Sequence, residues 1–140
     1  MDKSRLRRYL EKIEHIGERI EDIKTWLGEE EEVGKKTRLA VYKAMQEAIE
    51  AAMDMVAMML KDEGKLPKDD YTNVEELFEL NLIDKGLKDA LNEANGLRNR
   101  LVHEYNRLSV DVALESIQCL LEPLNDFLGA VKRWMERNIR

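Results

Sequence analysis

The chain has 140 residues, 44% hydrophobic and 37% charged, with a formal net charge of −6. That length suits one domain over residues 1–140, with a core that needs neither disulfides nor a structural metal, and the composition excludes a disordered chain. The acidic balance argues against binding long nucleic acid by bulk charge, since phosphate contacts need local Lys and Arg.

Leu6, Leu10, Ile13, Ile16, Ile20, Ile23 and Leu27 recur at steps of three and four, the apolar face of a long first helix. "GEEEEVG" ends it, with Gly28 and Gly34 bracketing an acidic turn. A second helix is predicted from about Lys35 to Lys61, with Leu39, Tyr42, Met45, Ile49, Met53, Val56 and Leu60 on its face. "DEGKLPKDDYT" reads as a loop, and Thr72 with Glu75 resembles a capping box opening a short helix through about Leu82. Asp84 is placed to cap a fourth helix, striped by Leu87, Leu91, Ala94, Leu97, Leu101 and Leu108. A last helix from near Asp111 carries Val112, Ile117, Leu120, Leu124, Phe127, Val131 and Trp134, and Pro123 inside it should bend it. The expected fold is all-α: an up-and-down bundle of four long helices and one short one.

Chemistry-bearing residues are few. No apolar stretch approaches the roughly 20 residues that span a bilayer, and the single Cys119 suits a reducing compartment, so a cytoplasmic protein is expected. Cys119 itself, in an apolar run, is read as inert packing. The residues three before His15 and His103 are Lys12 and Arg100, so the Glu-x-x-His pairs of di-iron bundles are missing. Zinc would want more Cys and His; no metal and no cofactor are expected. "GEEEEVGKKT" echoes a phosphate loop out of register and with four repelling glutamates. The methionines of "MDMVAMML" read as adaptable core, and His15 as a surface partner of Glu11 one turn away.

"RNRLVHEY", residues 98–105, is different. Arg98 and Tyr105, seven apart, share a face with Leu87, Leu91, Ala94, Leu101 and Leu108, and an arginine in an apolar seam is costly unless something pairs with it. Asn99, His103 and Asn106 follow one turn apart on a polar face, where either Asn could orient the imidazole. Arg98, Arg100 and Arg107 against Glu104 make a short basic patch on an otherwise acidic body. Arg98 and His103 point about 140° apart on an ideal helix. A bend near Gly96, or a second copy across a two-fold axis, could bring them together.

Arg98, four residues, His103, one residue, Tyr105 is the R-x4-H-x-Y pattern of the HEPN superfamily. The block "LPKDDYTNVEELFELNLIDKGLKDALNEANGLRNRLVHEYNRL" resembles the centre of HepT-like toxins, and the flanking helices match in length and order. The resemblance implies a helical homodimer with a composite, metal-independent ribonuclease site. Its catalytic pair would be Arg98 and His103, supported by Asn99 and Tyr105. The resemblance also implies an MntA-like nucleotidyltransferase antitoxin that silences the toxin by transferring AMP to the motif tyrosine, here Tyr105. Two other classes remain: a non-catalytic subunit docking a nucleotidyltransferase or nucleotide, and a purely structural helical dimer.

Overall fold

The computed structural model describes residues 1–104 and 107–138. Five helices follow in order: α1 (Lys3–Gly28), α2 (Lys35–Asp62), α3 (Asp70–Glu79), α4 (Lys85–His103) and α5 (Val110–Asn138). Three of them open on an aspartate. Asp2, Asp69 and Asp84 each accept a backbone N–H three residues on, from Arg5, Thr72 and Leu87 at 2.8, 2.9 and 2.8 Å. A side-chain oxygen thereby satisfies one of the donors that a helix start leaves unpaired. Asp84 caps as its sequence position implies. The capping box at Thr72 does not form, because Asp69 takes both the N–H and the hydroxyl of Thr72, the latter at 2.8 Å. α3 also stops at Glu79, short of Leu82, where Asn81 turns left-handed at φ 60° and breaks the helical path.

Contacts set the helix directions. Tyr9 reaches Asp62, Lys12 reaches Asp54 and His15 faces Glu47, so α1 and α2 run antiparallel. The amino group of Met1 meets the Asn138 carbonyl and the Tyr9 ring packs at a tilt against Trp134, so α1 and α5 are antiparallel too. Trp134 donates to Glu63 at 3.0 Å, which brings the C-terminal ends of α5 and α2 together. α2 is the hub, packing against every other helix. Its face is almost continuously buried from Val41 to Leu60, methionines included.

Single positions depart from the predicted stripes. Leu10 is half exposed, and its neighbour Tyr9 is fully buried instead. Tyr9 holds that place because its ring meets Trp134 at 5.4 Å and its hydroxyl donates to Asp62 at 2.7 Å. Leu39 and Val112 are likewise exposed. His15 pairs across the helices with Glu47 at 3.5 Å rather than with Glu11 along its own helix. Cys119 is exposed, not packed. α5 runs unbroken through Pro123, whose ring withholds one N–H from the ladder. Among the described residues no helix is long and apolar enough to cross a membrane.

Candidate functional site

Arg98, five residues before the end of α4, meets Glu50 near the middle of α2, and that placement builds the site. Leu91, Ala94, Leu97 and Leu101 are buried and seat α4 on the bundle. Arg98 falls within this seam, where its stem packs while its guanidinium needs a partner. Glu50, midway along α2, supplies it. Arg98 Nε and Nη2 both donate to Glu50 Oε2, at 3.2 and 2.7 Å. Arg98 Nη1 donates to Asn99 Oδ1 at 3.0 Å. On the far side of Glu50, Oε1 accepts from Gln46 Nε2 at 3.4 Å, one turn back on α2. A chain of hydrogen bonds thus runs Gln46, Glu50, Arg98, Asn99 across two helices.

A guanidinium carries five N–H donors. Glu50 and Asn99 occupy three, leaving one on Nη1 and one on Nη2 uncommitted among the described residues. The surroundings are acidic as well as basic. A cleft of 370 Å³ is lined by Glu50, Met53, Asp54, Asp70, Asn95 and Arg98. Asp70, the first residue of α3, has its carboxyl pushed above the usual carboxylate range by burial, opposed by the positive charge of Arg98. α3 is held there by Asn73. Its amide donates to the Lys68 carbonyl at 3.1 Å and accepts the Lys68 N–H at 2.6 Å, which clamps the preceding loop. Asn95 is 97% buried, and its Oδ1 finds no partner among the described residues.

His103 is the last residue of α4 and is exposed; the N–H of Glu104 closes the helix on the Arg100 carbonyl at 2.8 Å. No hydrogen bond or ion pair joins Arg98 to His103 among the described residues: Arg98 reaches inward to α2 while His103 faces out. α4 continues straight through Gly96 as helix, so no break there swings one toward the other. What Gly96 does permit is proximity. A side chain starting there would meet Arg100 Nη1 at 3.5 Å and the Tyr71 hydroxyl at 3.6 Å. Arg100 and Arg107 are exposed, and neither forms an ion pair among the described residues. Tyr105 and Asn106 lie outside the described residues, so the expected place of the motif tyrosine has no structural account. Among those described, no cluster of His, Cys, Asp or Glu is arranged to hold a metal ion.

Glu50 and Gln46 are absent from the sequence expectations. A signal for them existed: two polar residues one turn apart inside the apolar run of the second helix, where a charge needs a reason.

Comparison with known proteins places the chain. Residues 6–131 match the model of the HepT-like family, described as ribonuclease HepT-like. A protein of Archaeoglobus fulgidus, provisionally named an RNase, is 41% identical over 133 residues, 95% of this chain and 97% of that protein. The mRNA nuclease HepT of Shewanella oneidensis is 29% identical over 89 residues, 63% of this chain and 67% of that one. Among solved structures, the tri-AMPylated Shewanella oneidensis HEPN toxin in complex with MNT antitoxin superimposes with a TM-score of 0.84. It is 25% identical to this chain, and the match covers 95% of this chain and 99% of the toxin.

Proposed function

Because the chain belongs to the HepT-like ribonuclease family, we propose that it is a metal-independent RNA endonuclease and the toxin of a toxin–antitoxin pair. The observation that carries the residue assignment is the state of Arg98. It is fixed from behind by Glu50 and keeps two N–H groups uncommitted among the described residues, on the helix that ends in an exposed His103.

The chemistry fits these groups. The ribose 2′-hydroxyl attacks the adjacent phosphorus, the P–O5′ bond breaks, and a cyclic phosphate and a free 5′-hydroxyl result. One group must take the 2′ proton, another must protonate the leaving oxygen, and a cation must bear the charge that builds on the phosphorane. Histidine titrates near neutrality and serves either proton role. In a homodimer the second His103 takes the other. The remaining N–H groups of Arg98 bind phosphate oxygens by charge-assisted hydrogen bonds. Arg100 and Arg107 attract the neighbouring phosphates. Asn99 acts through Arg98, its carbonyl holding one edge of the guanidinium. The inward Arg98 and outward His103 favour a site completed by a second copy.

Silencing follows the same logic. In this reading a nucleotidyltransferase antitoxin catalyses attack of the Tyr105 oxygen on the α-phosphorus of ATP, and pyrophosphate leaves. The adduct brings bulk and negative charge to a surface that must accept phosphates. The likeness to an AMPylated HEPN toxin bound to its antitoxin supports this part.

One observation favours a second reading, a non-catalytic subunit that docks a nucleotidyltransferase: Asp54 and Asp70 line the cleft beside Arg98 and would repel RNA. The test is RNA cleavage in EDTA by protein whose Tyr105 is verified by mass spectrometry to be unmodified. The expected result is cleavage by the native chain and none by His103→Ala, with helicity retained. No cleavage of varied RNAs by the folded, unmodified native protein would overturn the nuclease reading and favour the docking one.

A further inference from the structure

Glu50 does more than neutralise a half-buried charge, a conclusion that rests on the ribonuclease reading above. A half-exposed ion pair contributes little to stability, because solvent screens it and two long side chains lose freedom to form it. An arginine of α4 and a glutamate of α2 need no special geometry for that purpose. The geometry present is specific. Both bonds fall on one edge of the guanidinium, Nε and Nη2, and converge on one oxygen, Oε2. The other oxygen is held by Gln46 and the third guanidinium nitrogen by Asn99. The plane of the guanidinium is therefore set at three nitrogens by groups on both helices. Glu50 also stands in the most enclosed helix of the bundle, between the buried Ile49 and Ala51.

We propose that Glu50, buttressed by Gln46, is a positioning residue for RNA cleavage: it locks the inner edge of Arg98 so that only the outer N–H groups meet the scissile phosphate. An arginine free to rotate would bind phosphates in many poses, few of which place donors where the phosphorane charge develops. The lock trades ground-state attraction for orientation, since the carboxylate that aims Arg98 also repels the incoming phosphate. Removing it therefore has an unusual signature: turnover falls while substrate affinity holds or improves. Loss of mere structural support lowers only the folded fraction, so with kcat normalised to folded protein neither constant changes.

The experiment uses the full chain with Glu50→Ala and Glu50→Gln, beside Arg98→Ala. Cleavage of a single-stranded RNA oligonucleotide is followed in EDTA, and each variant's thermal midpoint is measured. The expected result is a kcat lowered roughly ten- to a hundredfold in Glu50→Ala with KM unchanged or reduced. Glu50→Gln keeps an acceptor oxygen in the same place and recovers part of the loss. Arg98→Ala loses kcat and raises KM together. Cleavage by Glu50→Ala at the native kcat, or a loss carried by KM, overturns the inference while leaving the ribonuclease reading intact.

A second measurement does not depend on turnover: the ¹⁵Nε–H resonance of Arg98 with a 2′-O-methyl RNA that binds without being cut. It should stay in its Glu50-bound position on binding and shift in Glu50→Gln. Release of that N–H from Glu50 when the RNA binds overturns the inference, since Arg98 then swings out to its substrate. A native protein that neither binds nor cuts RNA removes the ribonuclease reading, and this inference with it.

Discussion

Tyr9 is the aromatic residue whose polar end most constrains the fold. Its ring is wholly buried against Trp134, yet its hydroxyl must find a partner, and Asp62 accepts it at 2.7 Å while Arg5 holds the other carboxylate oxygen at 2.8 Å. Burial first, then the bond to Asp62 and that residue's negative charge, push the Tyr9 phenol well above the usual tyrosine range. In the unfolded chain the phenol ionises near pH 10. Above that pH the native state therefore binds more protons than the unfolded one, so this group's contribution is intact below pH 10 and is lost as pH rises further. Tyr9→Phe should cost about 1 kcal/mol at pH 8, the typical worth of one such bond. It should also flatten the alkaline fall in stability, which urea melts at pH 8 and pH 10.5 would measure. An equally steep fall in the variant would assign the alkaline sensitivity to other groups. The same residue marks a limit of periodicity. Leu10 and Tyr9 both fit the apolar spacing of α1, and hydropathy favours Leu10. The ring contact and the hydroxyl's partner, both some 50 or more residues away in sequence, decide for Tyr9.

At the scale of the element, α4 carries the site and its sequence was the most legible. Asp84 announced its start, the leucines its buried face, and Arg98 its need for a partner, which the apolar seam made plain before any partner was known. The partner was not legible, because Glu50 lies 48 residues away: its place in the apolar run of α2 hinted that the charge had a reason, but not that Arg98 was that reason until α2 and α4 are set in register. The same limit affected α3, where Asp69 rather than the expected Thr72 takes the cap, as the loop that Asn73 holds through Lys68 leads into the helix. Gly96 offers a test of how α4 presents its residues. A Cβ there would touch Arg100 and Tyr71 at ordinary van der Waals distances. Gly96→Ala should therefore fit and stabilise the helix by about 1 kcal/mol or somewhat less, through the backbone entropy that glycine loses. Thermal melts measure the gain. If RNA cleavage vanished in this more stable variant, α4 would have to bend at Gly96 to work.

For the whole molecule, the open question is whether one chain makes a site or two do. The all-α bundle matches the expectation drawn from composition and stripes, and the family match covers residues 6–131. Helical geometry left two ways to join Arg98 and His103, a bend near Gly96 or a second copy, since five residues' separation places them far apart in angle; the composite site is what the resemblance implies. The proposal makes a quantitative forecast. When Arg98→Ala and His103→Ala chains are mixed and allowed to exchange, half of the dimers are mixed, and each such dimer holds one site with both residues. Cleavage should return to at most about a quarter of the native rate, and to less where the second His103 is needed for the other proton. A site completed within one chain gives no recovery at all, and neither inactive variant cuts by itself in either case.

Glu50 sits at the middle of the helix that packs against all the others, while His103 is the final helical residue of α4. Backbone amides differ in how often they open to solvent: those in a central, enclosed helix exchange their hydrogens only when the whole fold opens, and those at a helix end exchange by fraying. The two halves of the proposed site should therefore exchange very differently: Arg98 is tied to an enclosed helix, and His103 rides on a helix end. Binding of RNA, or docking of a second copy, should slow exchange around His103 and leave the amides near Glu50 unchanged.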